Sequence, residues 1–324
     1  MSSVRDALEA LTDLQPDRER ITADILRGLS ATPRQLPSKY FYDAQGSALF
    51  EQITRQPEYY PTRTELRLLQ ECAQDIAKVV GPRLHVVELG SGSGRKTELL
   101  LQALREPVAY TPIEISRAAL TDSITRMAEA LPGIEMLPVC ADFTRPVQLP
   151  EPQRPPARRL IFFPGSTLGN FTHDDAIALL TAMRQTMGRD GMALIGIDLH
   201  KDAALIEAAY NDAAGVTAEF TLNLLRRLNR DIGSDFDLSG FRHQARYSVP
   251  RLRIETELVS QREQRVHVDG RAFDFAQGEA MTVEYSHKYT DAVFAKLAAA
   301  AGLRVSAHWN ATTPAFGLRL LQPD

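Results

Sequence analysis

The 324 residues predict an α/β protein, a mostly parallel sheet flanked by helices and joined to a second α+β lobe. Three observations predict it. A short apolar run, Leu84–Leu89, passes through glycines at alternate positions (Gly90, Gly92, Gly94) into a helical pattern from Lys96 to Leu104. Near-continuous apolar runs then alternate with helical stretches as far as Leu199, which is how a parallel sheet covered on both faces reads. After Leu199 polar helices and alternating strand patterns take over, until one last helix and two strands close the chain.

The elements follow in order. Val4 to Leu14 and Asp17 to Leu29 carry apolar residues at helical spacing, with Asp17 as the expected N-cap of the second stretch. Ala31 to Pro37 breaks the pattern, and a tyrosine-rich region follows, Lys39–Phe50 and Pro57–Arg63. Thr64 to Val80 reads as an amphipathic helix leading into the first strand. Val108–Ile115, Ile134–Cys140, Leu160–Phe163 and Met192–Leu199 read as strands. Ser116–Ala130, capped by Ser116, and Asp174–Gln185 read as helices between them. Beyond them Ala203–Tyr210 and Ala218–Asn229 are helical, and Phe241–Tyr247, Arg251–Ser260 and Gln264–Val268 alternate like half-buried strands. Asp274–Lys288 closes that segment. Asp291–Ala301 is an alanine-rich helix ended by Gly302, before the strands Leu303–Trp309 and Phe316–Leu321. The expected division is therefore 64–198 with 287–324 for the sheet domain, and 1–63 with 199–286 for the second lobe.

Composition narrows the function. A net charge of -4 excludes the basic face of a nucleic-acid binder. No apolar run reaches the length of a membrane span, and the N-terminus lacks a signal-peptide core. Cys72 and Cys140 are far apart and the seven histidines are scattered, so neither a disulfide framework nor a metal site is expected. The expectation is a monomeric, cytoplasmic protein acting on a small molecule.

The strand–glycine–helix unit makes a nucleotide-sized crevice. Counting from Gly90, Arg95 stands where a dinucleotide fingerprint and a P-loop each need glycine, so both phosphate readings fail at one residue. An acid at the strand end, Glu88, suits a cationic ligand. Glu88-x-Gly90-x-Gly92-x-Gly94 resembles the first motif of class I S-adenosylmethionine methyltransferases, whose sheet has seven strands, mostly parallel. Glu114, twenty residues after Gly94, is placed to accept from ribose hydroxyls, and Asp142-Phe143 to meet a base. Phe163–Phe171 follows the fourth strand, where these enzymes meet the methyl acceptor, and Asn170 there offers both a donor and an acceptor.

Lys39–Phe50, Pro57–Arg63, Val87–Thr97, Gly165–Asn170, Tyr210–Phe220 and Thr282–Ser286 together resemble the L-histidine Nα-methyltransferases of the ergothioneine pathway. The order and spacing hold over nearly the whole chain. The resemblance implies Nα-trimethylation of L-histidine to hercynine with S-adenosylmethionine as cofactor. By position it implies that Tyr59, Gly165, Asn170 and Tyr210 hold the amino acid's backbone groups, that Glu284 and Ser286 grip the imidazole, and that Tyr42 and Asn170 serve catalysis. Gly90, Lys96, Glu114, Asp142 and Phe143 would meet the cofactor. The chemistry of the residues agrees at one place: a carboxylate and a hydroxyl two apart on a strand share a face and can serve two ring nitrogens.

One residue departs from the family pattern. Thr256 stands after Arg253-Ile-Glu where a methionine is usual, which predicts a more polar, differently shaped side-chain pocket. Two rivals follow, the same chemistry on another amino acid and a silent sensor of S-adenosylmethionine or an amino acid. A substrate panel separates the first; the intact motifs at 88–96 and 165–170 weigh against the second.

Overall fold

The computed structural model describes residues 4–14, 18–145 and 147–324. Among these, 4–14, 61–200 and 288–324 form one compact unit, and 18–60 with 201–287 form a second.

The first unit is built on a sheet of nine strands among the described residues. From one edge the order is Thr12–Leu14, Val139–Ala141, Ala109–Glu114, Leu84–Leu89, Arg158–Phe163, Met192–Asp198, Ala315–Pro323 and Leu303–Thr312, with Glu135–Met136 paired to Ala109–Glu114. All pairs are parallel except those made by the last two strands of the chain. Successive residues supply opposite faces, as the period of two requires. Val86 belongs to the same core as Leu69, Leu101 and Ile124, whereas Val87 belongs to a second core with Leu180 and Phe294. Ser116 caps the helix Arg117–Ala130, its hydroxyl accepting from the Ala119 amide at 3.4 Å.

The sheet departs from the expected seven strands in two ways. The N-terminal helix stops at Glu9, and Thr12–Leu14 pairs in parallel with Val139–Ala141 instead of continuing it. Those three side chains are exposed, so the open sheet edge, and not an apolar face, recruits the segment. This also puts residues 4–14 in the first unit, although the whole of 1–63 was expected in the second lobe. The stretch expected as one strand, Ile134–Cys140, splits into Glu135–Met136 and Val139–Ala141. Pro138 stands in the gap; it has no N–H to donate, and its carbonyl accepts from Thr12 N at 3.0 Å. The expected cap Asp17 lies outside the described residues.

The second unit carries a three-stranded antiparallel sheet, Phe241–Ser248, Arg253–Ser260 and Ala280–His287, with Arg253–Ser260 in the middle. A hairpin, Gln264–Val268 with Arg271–Phe275, and the helices Arg18–Ser30, Ala44–Ile53, Ala203–Ala208 and Val216–Ile232 complete it. Ile25, Phe41, Leu224, Leu258 and Met281 are among its core. No described helix is long and apolar enough to cross a membrane.

Candidate active site

In the first unit the strand Leu84–Leu89 ends in a glycine turn whose backbone is left-handed at all three glycines, with φ of +71° at Gly90, +48° at Gly92 and +70° at Gly94. Only glycine takes such angles without strain. Nothing lies within 4 Å of where a Cβ on Gly92 would stand, and only the Phe143 ring, at 3.4 Å, approaches the corresponding point on Gly90. The turn is an open cradle with an aromatic wall. Glu114 reaches it from the neighbouring strand: one carboxylate oxygen accepts from Gly92 N and the other from Ser116 N, each at 3.0 Å. Burial pushes its carboxyl up while those amides oppose the shift. Asp142 is likewise buried, and its Oδ1 accepts from the Thr144 amide and hydroxyl.

The acid of the motif behaves otherwise. Glu88 is fully buried and its Oε2 accepts from the Tyr110 hydroxyl. Burial pushes its carboxyl up to about 8, so it is mostly protonated at neutral pH. Glu88 therefore does not supply the negative charge read from the sequence; the acid that reaches the cradle is Glu114.

Does the cradle fit S-adenosylmethionine? The Ser91 hydroxyl, inside the glycine turn, is buried with no hydrogen-bond partner among the described residues. Glu114 bonds the turn at Gly92, the Phe143 ring approaches Gly90 with Asp142 just before it in the chain, and Lys96 follows the turn in the first turn of the next helix. Open backbone, an unused hydroxyl, two acids for hydroxyls and amines, and one cation for a carboxylate fit a nucleoside carrying an amino-acid tail.

Lys96 is not alone. Its ammonium lies 2.5 Å from Glu65 Oε2, and both oxygens of Glu65 accept from the Gly165 amide, at 3.0 and 2.8 Å. Gly165 and Ser166, after the fourth central strand, are both left-handed, at φ +84° and +57°. Ser166 Oγ accepts from Asp198 N at 2.9 Å, and the short turn Thr167–Asn170 brings Asn170 to a half-buried position.

Five candidate residues fall in the second unit: Tyr42, Tyr59, Tyr210, Glu284 and Ser286. Aromatic edges chain the tyrosines together. Tyr42 meets Phe50 at 5.8 Å between centroids, Phe50 meets Tyr59 at 6.1 Å, and Tyr59 meets Tyr210 at 6.3 Å. The Tyr210 hydroxyl is 2.7 Å from Ser286 Oγ. Glu284 stands opposite Thr256, and Ser286 opposite Ile254, in antiparallel register. All four therefore face the same side of the sheet. The Thr256 hydroxyl is buried with no hydrogen-bond partner among the described residues. Gly165 and Asn170 belong to the first unit with Gly90, Lys96, Glu114, Asp142 and Phe143.

Residues 21–323 match the family described as histidine-specific methyltransferase, SAM-dependent. The chain belongs to this family. It is 40% identical over 309 residues to the histidine N-alpha-methyltransferase of Mycolicibacterium smegmatis, covering 93% of this chain and 94% of that protein. The protein of the same name from Mycobacterium tuberculosis is 40% identical over 302 residues, covering 92% and 93%. Ergothioneine biosynthesis protein 1 of Neurospora crassa is 31% identical over 309 residues; these are 89% of this chain and 33% of that longer protein.

Two supports of this methyltransferase site escaped the reading of the sequence. Glu65 lay within an amphipathic helix, where a carboxylate reads as a solvated face; its signal would have been the glycine partners at Gly165 and Gly196. His243 holds the Tyr210 carbonyl through Nε2 at 3.0 Å and meets Thr221 Oγ1 through Nδ1 at 3.0 Å. Burial depresses its basicity, so it stays neutral. A lone histidine in a strand gave no signal of that role.

Proposed function

We propose that the protein transfers methyl groups to the α-amine of L-histidine, three in succession, and releases hercynine as a step of ergothioneine biosynthesis. The observation that carries this is the shared face of Glu284 and Ser286, with the Tyr210 hydroxyl bonded to Ser286. A carboxylate accepts from one imidazole N–H and a hydroxyl donates to the other nitrogen, which is the donor–acceptor pattern of a neutral histidine ring.

S-adenosylmethionine supplies an electrophilic methyl on a sulfonium. In the first unit Gly90 and Gly92 let the backbone approach the ligand, Glu114 accepts from ribose hydroxyls, and Asp142 with Phe143 meets the base. Lys96 holds the carboxylate of the methionine part. Gly165 and Asn170 orient the amine. In the second unit Tyr59 and Tyr210 hold the α-carboxylate and amine, and Tyr42 helps to align the nucleophile. Displacement in line by a neutral amine needs orientation and exclusion of water more than a strong base. Tyrosine hydroxyls and an amide suit that task, because they accept hydrogen bonds from the amine without taking its proton; each transfer releases S-adenosylhomocysteine, and the first two products give up a proton to water before the next.

The same reading has the enzyme acting as a monomer in the cytoplasm; the two buried free thiols, Cys72 and Cys140, suit a reducing compartment. The grip itself is tested by titrating L-histidine into the protein with S-adenosylhomocysteine present. Glu284→Ala and Ser286→Ala should each weaken binding about tenfold or more, the loss expected when a buried partner goes unpaired. Unchanged affinity in both variants would refute the assignment of the imidazole.

A further inference from the structure

Glu65 is a buried charge that the proposed chemistry does not use, and three other pieces of chain converge on it. It sits in the helix Tyr60–Val80, with its side chain 1% exposed. An unpaired carboxylate there would cost several kcal/mol. Two groups answer it, and a third element leaves room for it. Lys96 comes from the first turn of the helix Arg95–Ala103, next to the glycine cradle. The Gly165 amide comes from the left-handed loop after Arg158–Phe163. The strand Met192–Asp198 makes room with Gly196, where an added Cβ would stand 2.0 Å from Glu65 Oε1. Room for the carboxylate is thus written into the strand as a missing side chain.

The geometry points to Glu65 as a positioning residue that acts through Lys96 and Gly165, tying the cofactor seat to the loop that ends in Asn170. This rests on the reading that Lys96 meets the cofactor's carboxylate and that Gly165–Asn170 serves the methyl acceptor. Lys96 is 17% exposed, so without its buried partner a flexible ammonium turns toward water. Two consecutive left-handed residues, one of them Ser166, would relax if the Gly165 amide lost its acceptor. One carboxylate therefore fixes both.

The test is a double-mutant cycle of Glu65→Gln, Lys96→Met and the pair, read by calorimetric binding of S-adenosylhomocysteine and by kcat at saturating substrates. Glutamine keeps an acceptor for Gly165 but removes the anion opposite Lys96. Expected is a loss of affinity of about tenfold in Glu65→Gln, and little further loss when it is added to Lys96→Met, since the two act as a unit. The double variant leaves no unpaired buried charge, so it keeps the comparison open if either single variant folds poorly. Gly196→Ala adds a check that changes no charge: it should displace the carboxylate and lower kcat and affinity together. A merely structural Glu65 would lower thermal stability while the folded fraction bound as tightly as wild type. That result, or additive losses in the cycle, would overturn the inference. Failure of the wild-type protein to bind S-adenosylhomocysteine would instead overturn the underlying reading of the cradle, and this inference with it.

Discussion

Replacing Glu88 by glutamine should make the protein more stable at neutral pH, although Glu88 is the acid of its glycine motif. The side chain is fully buried and its carboxyl is held up to about 8, against 4.5 when unfolded. The folded value is raised, so the carboxyl favours folding most below pH 4.5. That contribution is lost as pH rises, because the unfolded chain releases its proton first; the loss levels off above 8. At 1.36 kcal/mol per pH unit, wild-type stability should fall by about 3 kcal/mol from this group between pH 4 and 7, and somewhat further by pH 9. Glutamine has the same shape, can accept from the Tyr110 hydroxyl, and does not ionise. The quantity to measure is the difference in urea-unfolding free energy between Glu88→Gln and wild type at pH 4, 5, 6, 7, 8 and 9, in which other titrations cancel. It should widen by about 3 kcal/mol from pH 4 to 7 and flatten near 9. A difference that stays constant across the series would mean that Glu88 is ionised in the folded protein, and would refute the reasoning.

Three further outcomes follow from the second unit. Gly46→Ala should destabilise by about 3 kcal/mol in thermal unfolding despite alanine's helix propensity, because its Cβ would stand 1.7 Å from the Phe41 carbonyl oxygen. Thr256→Val removes a buried hydroxyl that has no partner among the described residues, so it should raise stability by about 1 kcal/mol, and it should raise the KM for histidine several-fold if that hydroxyl serves the ring held by Glu284. A loss of stability would contradict the first half of that expectation. Tyr210→Phe takes the hydroxyl from Ser286 and should raise the KM for histidine about tenfold, as steady-state kinetics would show.

Much of the first unit is legible because its signals are local. Apolar runs such as Leu84–Leu89 and Leu160–Phe163 can be buried only by a covered sheet, and Gly90, Gly92 and Gly94 announce a turn that other residues would strain. Thr12–Leu14 is not legible, since three exposed residues that pair through the backbone, with Asp13 also held by the distant Arg117, leave no periodic apolar pattern. Pro138 was visible, but an apolar run on both sides hid its effect on pairing. At the site, the family resemblance brought out Glu284 and Ser286 and the chemistry of the pair agreed, whereas their alignment with Thr256 and Ile254 depends on a register shift between Thr282 and Glu284. Glu65 was invisible for a different reason. Its partners lie 31 and 100 residues away, and only the folded chain turns a helix carboxylate into the partner of Lys96 and Gly165. Glu88 misled because strand-end acids are usually read as charged, and charge depends on burial that a motif does not state.

The most direct measurement is mass spectrometry of the purified protein incubated with S-adenosylmethionine and each common amino acid in turn. The expected result is a product three methyl groups heavier from L-histidine alone, methylated at the α-nitrogen. Trimethylation of a different amino acid, with histidine untouched, would contradict the assignment of Glu284 and Ser286 to the imidazole and move the error to the pocket around Thr256.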